Sequence, residues 1–146
     1  MIVVKDYTGL KPAGVVEEMF SFAASVVGLD GVKVVVAINK PLLTRLSRGD
    51  IEYTGLLFNT GMAHSYVLYV ADVSEGEMRT IIAHETAHLA QQERGDLVVD
   101  TRSYECTWKG VRYGNSFPYM DRPWEKEAFK VQSDILKQYK KSKKRK

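Results

Sequence analysis

The sequence predicts a single α+β domain, because stretches of helical and strand periodicity alternate irregularly along a chain sized for one core. Apolar residues recur at helical spacing from Val15 to Leu29 and again after Ser74. A short β-branched run occupies 32–38, and short strand-like runs occupy 55–58 and 65–71. With 146 residues, 45% hydrophobic and 27% charged, the composition supplies a packed interior and excludes a disordered or fibrous chain.

The elements follow in order. Val15, Val16, Met19, Phe20, Ala23, Val26 and Val27 line one helical face, which ends before Gly28 and the Asp30-Gly31 turn. Val32 to Ile38 is short and β-branched, as a buried strand requires, and Pro41 closes it. Residues 42–54 favour no element. Gly55 to Phe58 and Ser65 to Ala71 flank an Asn59-Thr60-Gly61 turn and predict neighbouring strands. Ser74 and Glu77 form a capping-box pattern, which opens a helix that Gly95 stops near Arg94. Leu97 to Val99 and Tyr104 to Tyr113 read as β segments. A last helix opens at Asp121-Arg122-Pro123, since proline suits a first turn, and runs into a basic tail. The predicted organisation is one domain over 1–136 and a basic tail over 137–146.

The net charge of +3 is unevenly spread. Seven Lys or Arg fall in the last ten residues, leaving 14 bases against 18 acids in 1–136. Such a tail can make a weak contact with nucleic acid or another anionic surface, although a solvated, frayed terminus is its commoner meaning. The lone Cys106 rules out an intramolecular disulfide and suits a reducing compartment. Glycines and polar residues break the uncharged run from 53 to 71, and the first eleven residues lack the pattern of an export signal. The expected location is therefore cytoplasmic, with no membrane partner.

The chemistry concentrates in His84-Glu85-Thr86-Ala87-His88, an H-E-x-x-H arrangement inside the capped helix. At the chain's own residue frequencies it would arise in about 0.4% of shuffled sequences. Residues four apart lie one turn up and about 40° around, so both imidazoles leave one face and can share an ion. Zinc suits imidazole nitrogens, and a catalytic site adds a third protein ligand and an open position for water. Glu85 is then the candidate general base.

The third ligand must come from elsewhere. Gln91 and Arg94 occupy the positions where a metzincin has Gly and His, which excludes that subclass. His64, the remaining histidine, would be needed for a three-histidine site. Trp124-Glu125-Lys126-Glu127-Ala128 offers two carboxylates. On the predicted helix Glu127 borders the apolar stripe of Trp124, Ala128, Val131 and Ile135, whereas Glu125 points about 100° from Trp124 on the far side. Because a carboxylate pressed on a buried face needs a compensating charge, Glu127 is preferred to Glu125.

With these residues the chain resembles the zincin metallopeptidases, and more narrowly the gluzincin type. The resemblance rests on His84, Glu85 and His88 with the downstream Glu127-Ala128, a ligand glutamate followed by a small residue. It implies a zincin-like fold in which a small mixed sheet packs on the H-E-x-x-H helix, flanked by an N-terminal and a C-terminal helix. It also implies a zinc held by His84, His88 and Glu127, with Glu85 as base. The strand before the active-site helix, Ser65 to Ala71, would border the cleft and pair with an extended substrate. The acidic residue that orients a ligand histidine in larger gluzincins is replaced by Val131, so that partner is unassigned.

Tyr104, Tyr113 and Tyr119 lie between the ligand segments, where a phenol could stabilise an oxyanion. Trp108, Trp124 and Cys106 read as packing residues. The sequence thus points to a zinc metallopeptidase, a hydrolase of peptide or protein substrates. The alternative is a zincin-like binding or regulatory module with little turnover that meets nucleic acid or a protein through its tail.

Overall fold

In a computed structural model the described residues are 3–6, 13–38, 55–71, 73–100, 102–103 and 105–144. Segment 42–54 and Tyr104 lie outside them. The described residues form three α-helices and two small sheets, as an α+β reading requires.

The chain opens with strand β1 (Val3–Asp6), which the sequence reading does not assign. Helix α1 (Ala13–Val27) then leads to strand β2 (Lys33–Ile38), parallel to β1. α1 ends at Val27, before Gly28 as the sequence predicts, because Gly28 takes a φ of 74° and the Leu29 N–H returns to the Ala24 carbonyl at 2.9 Å. This is the six-to-one bond of a Schellman cap, which a glycine at that position makes possible. Strands β3 (Gly55–Asn59) and β4 (Ser65–Val70) form a hairpin, and β4 is also parallel to β2. The sheet order is β1-β2-β4-β3.

Alternation along the strands sets the core. Val34, Val36, Tyr66, Leu68 and Val70 are buried on one face beneath the helices. Met19, Phe20 and Ala23 of α1 join them with Met78, Ile82 and Leu89 of helix α2 (Glu75–Glu93). Ser74 caps α2 by accepting the Glu77 N–H at 3.3 Å, and Gly95 with φ 81° follows its end. From Ile81 to Gln91 every residue of α2 except His84 is buried.

A second sheet holds β5 (Leu97–Val99), β6 (Cys106–Trp108) and β7 (Val111–Tyr113) in antiparallel order. The single β segment expected over 104–113 is instead a hairpin, folded back at Lys109-Gly110. Both residues have positive φ, 47° and 84°, as a two-residue I′ turn demands. Leu97, Trp108 and Trp124 make a second, smaller core under this sheet. After a 3₁₀ turn at Tyr119–Asp121, helix α3 (Pro123–Lys144) starts at Pro123 and packs along α2. The basic residues 137–144 are its last turns, so this part of the tail is helical rather than frayed. Tyr139 donates to Glu18 of α1 at 2.7 Å, and the Lys143 ammonium lies 2.9 Å from the same carboxylate.

Two expectations need correction or qualification. Ser65–Val70 cannot take a substrate strand, because β2 and β3 occupy both of its edges. Among the described residues, β3 holds the edge position in this sheet and pairs with β4 alone. In addition, no described helix is long and apolar enough to cross a membrane.

β3 comes unusually close to α2. A Cβ on Gly55 would lie 2.8 Å from Ile81 Cγ2 and 3.3 Å from Glu85 Oε1, so only glycine fits there. Gly55→Ala should therefore destabilise the fold by about 1–3 kcal/mol through overpacking. A chemical-denaturation midpoint equal to wild type would show that the approach is looser than described.

Candidate metal centre

α2 and α3 bring three acceptor atoms together. His84 Nε2 and His88 Nε2 are 3.1 Å apart, and Glu125 Oε1 lies 2.9 Å from the first and 3.0 Å from the second. Glu85, next along α2, is buried, and its carboxylate falls within the same 4.8 Å group as the two imidazoles.

The protons on the rings follow from their outer partners. Gln91 Nε2 donates to the Trp124 carbonyl at 2.9 Å, an atom that can only accept. That turns Gln91 Oε1 toward His88 Nδ1, 2.8 Å away, so Nδ1 is the donor and Nε2 keeps its lone pair. On His84, Nδ1 faces Gln132 Oε1 at 2.9 Å, with the same consequence. Two imidazole lone pairs and a carboxylate oxygen then converge, which is a donor set that calls for a cation. Around a tetrahedral zinc with bonds of about 2.0–2.1 Å, such atoms stand about 3.3 Å apart. The observed triangle is only a few tenths of an ångström tighter, so the residues fit the ion.

Here the sequence preference for Glu127 is corrected. Glu127 accepts from Arg94 Nη2 at 2.8 Å and from Gln91 Nε2 at 3.3 Å, and it has no contact with either imidazole. The error lay in treating the apolar stripe as the only buried face of α3. Glu125, Phe129 and Gln132, spaced four and three apart, form another face toward α2, and Glu125 is 8% exposed because the histidines cover it. Glu127 instead steadies Gln91, which orients His88. The partner left unassigned in the sequence is thus a pair of glutamines, Gln91 and Gln132. Spacing hinted at both, since Gln91 follows His88 by three residues and Gln132 follows Glu125 by seven.

The other candidates separate cleanly. His64 sits on the β3–β4 turn, largely exposed, with Nδ1 2.6 Å from Glu93 Oε1. Tyr119 lines the cleft and reaches Glu125 Oε1 at 3.1 Å, while Tyr113 packs edge-on against Trp124 and Phe117. Cys106 also lines the cleft, but burial pushes its thiol up to about 11, which keeps it protonated and unreactive near neutrality.

The cleft is a cavity of about 170 Å³ between the backbone of Gly55–Phe58, the His84-Glu85-His88 face, and a far wall that includes Tyr119, Arg122 and Trp124. No known family matches the chain, and neither does any curated protein. What this site does must therefore be argued from its own atoms.

Burial raises the Glu85 carboxyl toward neutrality, opposed by the nearby imidazoles. Burial also works against a charged His88, yet the Glu125 carboxylate and its hydrogen bond override that and raise His88 to about 9. Glu125 is likewise penalised by burial but held well below the carboxylate range by His88 and His84. In chelator-treated protein a proton therefore bridges His88 and Glu125. A folded pKa of about 9 against an unfolded value of about 6.5 gives stability that is full below pH 6.5 and lost as the pH rises through 9. Thermal unfolding of stripped protein should show this as a fall on the order of 2 kcal/mol, or several degrees. A flat profile across that window would contradict the pairing.

Metal content separates the two carboxylates. Glu125→Ala should empty a zinc-loaded site, whereas Glu127→Ala should keep the ion and weaken it by about 10- to 100-fold through Gln91. Equal zinc occupancy in both variants, read by mass spectrometry, would remove Glu125 from the ligand set.

Proposed function

We propose that the chain is a zinc-dependent peptidase of zincin type in which His84, His88 and Glu125 hold the ion and Glu85 is the general base. The observation that carries this reading is the convergence of His84 Nε2, His88 Nε2 and Glu125 Oε1 within 2.9–3.1 Å, beside a buried carboxylate and an open cleft. Zinc, when bound, lowers the pKa of a water and polarises a carbonyl.

The remaining steps belong to the protein. Glu85, raised toward neutrality by burial, accepts a proton from the attacking water and returns it to the leaving amine as the C–N bond breaks. The Tyr119 hydroxyl, at the cleft wall beside Glu125, is placed to donate to a developing oxyanion. β3, paired with β4 alone among the described residues, would offer backbone groups to an extended peptide, and Gly55 lets that strand lie against the Glu85 turn.

Glu85→Gln is the decisive substitution. Zinc content should stay near one per chain, while cleavage of a peptide library falls by about 10²- to 10⁴-fold. Wild-type turnover in that variant would exclude Glu85 as base, and no cleavage by zinc-loaded wild type would sink the peptidase reading.

A further inference from the structure

One arc of the outer face of α3 carries a single kind of charge, with the exposed Asp134 just beyond its margin. At about 100° per residue, Lys126, Lys130, Lys137, Lys140, Lys141 and Lys144 fall with Ser133 within a 100° arc, seven positions besides Pro123 at the arc's first-turn edge. All seven positions are exposed. The ridge runs about 27 Å at 1.5 Å per residue, from beside Glu125 almost to the end of the chain. Among the described residues none of the six ammonium groups forms an ion pair, whereas Lys143, about 100° away, is spent on Glu18.

Ordinary solvation does not account for this pattern. A solvated helix face gains from mixed signs, while lysines three or four apart repel one another. The C-terminal dipole favours Lys140, Lys141 and Lys144, but Lys126 sits in the first turn, at the end that disfavours a cation. The ridge also lies opposite the buried face of Trp124, Ala128 and Ile135, so it has no packing role. Its chemistry narrows the partner. Lysine meets phosphate as a point charge. Those seven positions hold no aromatic side chain on which an unpaired base could stack, and no apolar side chain to enter a bilayer. We propose that this ridge binds the phosphate backbone of duplex nucleic acid without sequence preference, independently of the metal centre.

The test is fluorescence anisotropy with the full chain and a labelled duplex of about 20 base pairs and arbitrary sequence, across about 50–200 mM salt. Contact with four to six phosphates predicts a log–log salt slope of about −4 to −5. Replacing Lys126, Lys130, Lys137 and Lys141 together by Gln should weaken binding at least about tenfold and flatten the slope to about −2. The Lys126→Gln/Lys130→Gln pair should fall between, and circular dichroism checks that both variants keep the fold. Four results would each overturn the proposal: no duplex binding at 50 mM salt, an unchanged slope in the fourfold variant, tighter binding to a single strand, or tighter binding to vesicles rich in phosphatidylserine.

Discussion

Three acceptor atoms held within about 3 Å of one another form the constraint around which this molecule is organised. Lone pairs so close repel unless a cation lies among them, and the fold holds them there from two helices at once. α2 is enclosed by α1, α3 and β3, which is why its residues from Ile81 to Gln91 are almost wholly buried. Among the described residues no buried side-chain polar atom lacks a hydrogen-bond partner. The polar groups of α2 therefore stay buried because each is bonded, and the bonds also orient the two rings.

Glu127 shows how an orienting network differs from a ligand set. Its carboxylate takes the Arg94 guanidinium and the Gln91 amide, and Gln91 passes that order to His88 through the oxygen it has left. Neutral amides behind both imidazoles fix the tautomer without adding negative charge. The negative charge at the triangle then comes from Glu125 and Glu85, two carboxylates that burial and the imidazoles push in opposite directions.

Much of this was legible in the chain, for local reasons. Ser74, Gly95 and Pro123 mark helix ends through capping chemistry that acts within a few residues, and the H-E-x-x-H spacing places both imidazoles on one face. The β-branched run at 33–38 and the turn after Asn59 announced β2 and the hairpin. What could not be read depended on contacts distant in sequence. The choice of Glu125 over Glu127 turns on how α3 rolls against α2, which one apolar stripe does not determine. The edge position of β3 is a property of sheet order, so Ser65–Val70 looked like a rim although its neighbours cover it. β1 is four residues long, too short a run to stand out, and its partner β2 lies about 30 residues away in sequence. Gly55 reads as a turn glycine until Ile81 and Glu85 are seen in the space a side chain would need.

The two helices that form the triangle share the main core, where Ile135 of α3 is buried, but only α3 also reaches the smaller one. α2 is fixed in the main core by Met78, Ile82 and Leu89, whereas Glu125 directly follows Trp124, the residue that ties α3 to Leu97 and Trp108 in the smaller one. The triangle therefore lies beside the meeting of two hydrophobic clusters that α3 bridges. On the proposed reading, an ion seated there would act as a rivet, adding its own binding free energy to the contact between the histidine-bearing helix and the Trp124 end of α3. Its removal would loosen the small sheet first, the part with the fewest apolar contacts.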